Sequence, residues 1–184
     1  MDERLERLRS DGDGISALRR LFLPAFAQAD RGSIPDTGLR ATLDLTGAGM
    51  GNVQLLDEAA GGLTIAAQHG FDRSFPDFFA VVGDDGTACG RVMRTRAPVL
   101  VHDVERDRFL ARTPATRVLL EAGVRAVCSL PLLDGDGDGD GAALGVLSVH
   151  YRAARELTDA KYRLPEPLSH RLGRSLRDRA PEVR

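Results

Sequence analysis

The chain has little of what marks several classes of protein. It has no tryptophan and only two cysteines, Cys89 and Cys128, which cannot complete a zinc site alone and do not form the framework of a disulfide-rich fold. No stretch approaches the roughly 18 consecutive apolar residues of a membrane-spanning helix. Residues 1–10 also lack the apolar core of a secretory signal. We therefore expect a cytoplasmic protein with no membrane partner.

Neither sign of charge dominates the sequence. The 25 Lys plus Arg residues and 27 Asp plus Glu residues leave a net charge of -2, so there is no basic excess that would favour nucleic acid. The length of 184 residues suits one domain with short helical extensions, and 42% hydrophobic residues can form its core.

The first half of the chain predicts helices followed by a β-hairpin. Residues 15–29 have the apolar periodicity of an amphipathic helix. A second helix is predicted over residues 37–46, with Asp36 as its N-cap. Residues 50–56 and 63–68 then form two β-competent segments on either side of a Gly-rich turn.

The second half continues with alternating helices and strands. Thr87 and Thr113 are well placed to cap helices, and Pro114 fits the first position of the second of these helices. The predicted elements are an aromatic-rich short helix within residues 71–82, a helix over 88–95, a strand within 98–104, a helix from 114, strands over 125–133 and 142–151, and a terminal helix from Pro167.

This order predicts an α+β fold with a central antiparallel sheet of five to six strands and helices on both faces. We expect a helical extension over residues 1–36 and the main domain over residues 37–157. Residues 158–184 are expected to form a helix that packs on the domain or forms a dimer interface. A pocket is expected between the sheet and the segment from residue 71 to residue 123.

Several sequence blocks resemble one protein family. They are LDLTGAGMGNVQLLD (43–57), GTACGR (86–91), PVLVHDV (98–104), GVRAVCSLPL (123–132) and LGVLSVH (144–150). In order and spacing these blocks resemble a bacterial GAF domain, and the resemblance covers residues 36–176. It implies a GAF/PAS-like sheet and a regulatory, small-molecule-binding role in signal transduction, exerted through a homodimer or a partner protein. It does not imply an enzyme, and it leaves the cofactor and the ligand unknown.

Cys89 opens an alternative function. It lies in the first turn of a predicted helix, where free N–H groups and the helix dipole favour the thiolate. A thiol-based redox sensor or a reductase that uses Cys89 is therefore the second hypothesis. The third is a ligand-free scaffold for protein contacts, whose pocket is filled by Phe78, Phe79 and Met93. The residues after the cysteines, Gly90 and Ser129, argue against covalent bilin attachment, which in related domains uses a cysteine followed by histidine.

Polar residues inside apolar strands are candidates for ligand contact, because a buried polar group needs a partner. Thr87 caps a helix that can receive an anion, and His102 with Asp103 can form a pair in the pocket wall. The predicted ligand-binding residues are Gln54, Phe79, Thr87, Cys89, His102, Asp103, Ser129 and Ser148.

No catalytic triad and no metal site are predicted. The Asp-Gly run over residues 134–139 resembles the start of an EF-hand, but the twelfth position is Gly145, where the calcium loop needs Glu. His69 and His150 lie at predicted strand ends, where a polar residue is common and a haem ligand is rare.

Overall fold

The computed structural model describes residues 30, 32–83, 86–111, 113–135, 141–156 and 165–178. The predicted helix over residues 15–29 lies outside these residues. In chain order the described elements are helix α1 (Ile34–Thr46), strands β1 (Met50–Asp57) and β2 (Gly62–His69), helix α2 (Ser74–Phe78), strand β3 (Val81–Val82), helix α3 (Ala88–Thr95), strand β4 (Val99–Val101), helix α4 (Pro114–Glu121), strands β5 (Ala126–Leu133) and β6 (Ala143–Tyr151), and helix α5 (Glu166–Asp178).

The six strands form one antiparallel sheet in the order β3-β2-β1-β6-β5-β4. Two hairpins, β1–β2 and β5–β6, lie side by side, and β6 joins them by pairing with β1. The edge strands β3 and β4 have only two and three residues, and so short an edge offers little to another strand. The predicted α+β fold with helices on both faces is confirmed.

Alternate residues of the central strands enter two separate cores, because neighbouring side chains of a strand point to opposite faces. On one face, α1 and α5 pack on Val53, Leu130 and Leu147. The helices also meet each other closely, since a Cβ on Gly38 would lie 2.9 Å from Leu172 Cδ2. The other face is covered by α2, α3, α4 and the loop between β4 and α4.

Two helix caps are confirmed and one is wrong. Thr87 Oγ1 accepts a hydrogen bond from Gly90 N at 3.0 Å, and Thr113 Oγ1 accepts one from Thr116 N at 3.3 Å. Helix α1, however, begins at Ile34 after the cap residue Ser33, because Pro35 suits the first turn of a helix. The predicted cap, Asp36, is helical and forms an ion pair with Arg40 at 2.6 Å.

Residues 71–82 contain the predicted short helix, but they also contain a strand that was not predicted. Helix α2 covers only Ser74–Phe78, and the chain then forms β3, in which Val81 pairs with Thr64. Two adjacent valines favour a strand over a helix, because their branched side chains suit a pleated surface. Phe75 is buried, but Phe78 is 42% exposed, so the aromatic residues of this segment do not all enter the core.

The longest described helices, α1 and α5, have 13 residues each. Among the helices of the described residues, none has both the length and the apolar character that crossing a bilayer requires.

Candidate functional site

A row of polar side chains crosses the middle of the sheet on the face that α2, α3 and α4 cover. The strand register places Asn52 of β1 opposite Ser148 of β6, and Ser148 opposite Ser129 of β5. Gln54 and His150 continue the polar surface on either side of this row. All five side chains are at most 4% exposed. Buried polar groups are costly unless they are hydrogen-bonded, so this polar wall needs partners.

A cavity of about 20 Å³ lies between this polar wall and the helices. That volume accommodates roughly one water molecule. The five residues of the polar wall form one side of the cavity. The other lining residues are Phe75, Phe79, Thr87, Ala88, Cys89, Leu110, Ala115, Leu119 and Val127. The cavity is therefore polar on its sheet side and largely apolar on its helix side.

The hydrogen bonds of the polar wall are incomplete. The hydroxyl oxygens of Ser129 and Ser148 are 2.8 Å apart, and Gln54 Nε2 donates to the carbonyl oxygen of Phe79 at 3.4 Å. Asn52 Oδ1 and His150 Nδ1 are buried, and no residue in the described part of the chain satisfies either atom. A buried atom of this kind costs about 1–3 kcal/mol when nothing pairs with it, so a molecule in the cavity that pairs with both atoms is favoured.

His150 is held in an aromatic environment. Its ring meets Phe71 edge-on at a centroid distance of 5.0 Å and Phe75 at 5.6 Å. Burial lowers the pKa of His150 to about 3, because the apolar surroundings disfavour the imidazolium. His150 is therefore neutral at physiological pH.

The two cysteines lie on opposite faces of the sheet, and both are thiols that form no disulfide within the described residues. Cys89 lines the cavity, is 7% exposed and places its Sγ 3.2 Å from Thr87 Oγ1. Cys128 belongs to the core under α1 and α5, where burial raises its thiol pKa to about 12. The sheet separates the two thiols, so a disulfide between them within one chain would require the fold to open.

The structure brings six of the eight predicted site residues to the cavity: Gln54, Phe79, Thr87, Cys89, Ser129 and Ser148. His102 and Asp103 lie elsewhere, because β4 ends at Val101 and the chain leaves the sheet before reaching them. His102 is exposed, and Asp103 Oδ1 accepts from Arg125 Nη2 at 3.2 Å.

Two cavity residues, Asn52 and His150, were not among the predicted ligand contacts. Asn52 could have been found from the sequence, because it stands two positions before Gln54 and therefore faces the same side of β1. The burial of His150 depends on Phe71 and Phe75, which lie far away in sequence, so no local pattern indicates it.

Within the described residues, no group of three or more His, Cys, Asp or Glu side chains is arranged to hold a metal ion. The tip of the Asp-Gly run, residues 136–140, lies outside the described part.

Comparisons with known proteins agree with this architecture. The family model for the GAF domain matches residues 18–176. A search of curated proteins found no match. Similar solved structures include the GAF domain of a phosphoenolpyruvate-protein phosphotransferase from Coxiella burnetii, at 13% identity and a TM-score of 0.72, with 89% of this chain and 93% of that one covered.

Two further structures are similar to a lesser degree. A GAF domain/HD domain protein from Geobacter sulfurreducens has 17% identity and a TM-score of 0.63, with 81% of this chain and 93% of that one covered. Free methionine-R-sulfoxide reductase from Neisseria meningitidis, in complex with its substrate, has 16% identity and a TM-score of 0.67, with 91% and 92% covered. At these identities the structures show a shared fold and not a shared activity. Because the family model spans well over half of the sequence, the chain belongs to the GAF domain family.

Proposed function

We propose that this chain is a regulatory GAF domain that binds a small molecule in the cavity and passes the signal to a second copy or to a partner protein in the cytoplasm. The observation that carries the proposal is the buried polar wall with two unpaired atoms, Asn52 Oδ1 and His150 Nδ1. A ligand that pairs with both atoms recovers the cost of their burial, which is why these groups favour a binding site.

A ligand larger than water must move one wall of the cavity. The sheet wall is held by the hydrogen-bond ladders of β1, β6 and β5. The helix wall includes Phe75 and Phe79, which belong to the five-residue helix α2 and its C-terminal end. We therefore expect α2 to be displaced, so that binding selects an open form of this wall.

The sheet itself connects the cavity to the helices on the opposite face. In β5, Ser129 lines the cavity while its neighbours Cys128 and Leu130 belong to the core beneath α5. A shift of β5 on ligand binding therefore acts directly on the packing of α5. A helix that responds in this way is suited to carry a signal to a second copy or to a partner.

The proposal does not include catalysis. The side chains nearest to a nucleophile–base arrangement are engaged otherwise, since Ser129 pairs with Ser148 and the His150 ring meets two phenylalanines. Thiol chemistry at Cys89 remains the second candidate, because Cys89 lines the cavity and a reductase shares this fold. With Cys128 on the opposite face, such chemistry would need an external thiol to complete a redox cycle.

The test is native mass spectrometry of the protein purified from its own cells, together with thermal melting in the presence of a metabolite panel. We expect a small molecule that is retained or that raises the Tm. The effect should be lost in Ser148→Val, whose larger side chain occupies the cavity. It should persist in Cys128→Ala, a matched control on the opposite face. A clean apo mass with no Tm shift from any panel member would instead support the scaffold hypothesis.

A further inference from the structure

The cavity has no charged wall. Among the described residues that line it, none is Asp, Glu, Lys or Arg, and its histidine is neutral. The charged residue two positions after Cys89 does not line the cavity either, because the Arg91 guanidinium lies over the Phe109 ring at 4.5 Å. None of the described lining side chains would balance a carboxylate, phosphate or ammonium group, and the partial positive charge at the N-terminus of α3, which Thr87 caps, offsets only part of the cost of burying an anion.

The unpaired atoms of the polar wall lie within reach of one small molecule. Met50 is opposite His150 in the register, so Asn52, two residues further along β1, is the diagonal neighbour of His150. Diagonal neighbours on one face have Cβ atoms roughly 7–8 Å apart or less. Asn52 Oδ1 requires a donor, and a neutral imidazole offers one N–H and one acceptor nitrogen. A group that both donates and accepts matches this pair.

The side of the cavity opposite the polar wall favours contact with an apolar part of the ligand. Phe75, Phe79, Leu110 and Leu119 face the polar wall, and the Phe71 and Phe75 rings stack at a centroid distance of 3.6 Å. A ligand between these walls must have a hydrogen-bonding edge toward the sheet and an apolar body toward the helices.

We infer that the ligand is an uncharged amide or lactam with a compact apolar body, bound with its N–H and C=O toward Asn52, Ser148 and His150. This inference rests on the proposed function and narrows it to one chemical class. It excludes ligands whose recognition requires a carboxylate, phosphate or ammonium group to be buried in the cavity.

The experiment uses pairs of probes that share a body and differ in charge: nicotinamide and nicotinate, benzamide and benzoate, and 2-pyrrolidone and pyroglutamate. Binding to the full chain is measured by thermal shift and by saturation-transfer NMR. We expect the neutral member of a pair to bind at least about tenfold more tightly than the charged member, since the charged one loses its solvation without a partner.

Variants assign the binding to the polar wall. Asn52→Leu has nearly the same shape but no acceptor, and it should weaken binding of the neutral probe by about tenfold. The control Cys128→Ala changes the opposite face of the sheet and should bind like the wild type. Equal binding to Asn52→Leu would overturn the assignment of the amide to this wall.

The outcomes separate the two proposals. Preferential binding of a charged probe that depends on Asn52 would overturn the amide class and leave the proposed sensor function intact. If no probe binds, the molecule retained from the native cells decides: a neutral amide supports the inference, and a charged molecule overturns it. The absence of any probe binding and of any retained molecule would overturn the sensor function, and the inference with it.

Discussion

At the scale of single residues, His150 combines burial with an unpaired nitrogen. The folded state holds it neutral, with a pKa near 3, while an unfolded chain exposes it with the ordinary pKa near 6.5. Between these values the unfolded state binds more protons than the folded state, so stability falls as the pH falls. Above pH 6.5, His150 is neutral in both states and does not reduce the free energy of unfolding. As the pH drops from about 6.5 toward 3, protonation of His150 in the unfolded state progressively lowers the free energy of unfolding.

This linkage predicts a pH dependence that can be assigned to one side chain. Urea unfolding between pH 7 and pH 4.5 should show a loss of up to about 1.4 kcal/mol per pH unit from His150. His150→Phe should remove that part of the slope, and Phe suits the ring contacts with Phe71 and Phe75. The control is Cys128→Ala, on the opposite face of the sheet, which should keep the wild-type slope because this thiol, with a pKa of about 12, does not titrate in this range. Equal slopes in wild type and His150→Phe would contradict the buried neutral state.

At the scale of elements, the seating of α5 on β5 depends on Gly173. A Cβ added at this position would meet the Leu133 backbone, its carbonyl oxygen first, well inside van der Waals contact. The backbone of a strand within a sheet cannot shift as readily as a side chain can. Helix α5 would therefore have to move away from β5 to relieve the clash. Gly173 thus lets α5 approach β5, the strand whose Val127 and Ser129 line the cavity.

Gly173→Ala should therefore destabilise the protein by about 1–3 kcal/mol in urea unfolding, although alanine is the better helix former. Gly49→Ala is the matched control, because a Cβ there has no neighbour within 4 Å and it should change stability little. If Gly173→Ala were as stable as the wild type or more so, α5 would not be seated on β5 as described.

Local signals predicted most of the elements but not all of their limits. The caps at Thr87 and Thr113 were found because a threonine before a helix acts through its nearest neighbours. Asp36 failed as a cap because Pro35 allowed the helix to begin earlier. Strand β3 was missed because two valines form a strand only when a neighbouring edge, here Leu63 and Thr64 of β2, is available to pair.

At the scale of the whole molecule, the site depends on contacts that the sequence does not encode locally. Gln54, Ser129 and Ser148 were predicted because each is polar in an apolar strand. Their alignment with Asn52 required the pairing of β1 with β6, which joins residues 90 to 100 positions apart, from Leu55–Gly145 to Met50–His150. His102 and Asp103 were misplaced in the pocket wall because the length of β4 is decided by its pairing with β5.

The two thiols report separately on the two cores that the sheet divides. Cys89, in the first turn of α3, becomes accessible when the helix wall of the cavity opens locally. Cys128 lies in β5 between β4 and β6, where access requires global unfolding.

Labelling by a thiol reagent should therefore be biphasic, with Cys128→Ala retaining the fast phase and Cys89→Ala the slow phase. Only the slow phase should accelerate with urea as steeply as global unfolding does, because local opening exposes little surface. A single rate with one urea dependence for both thiols would mean that the cavity wall and the sheet open together, and a wall that cannot open alone cannot admit a ligand to the folded protein.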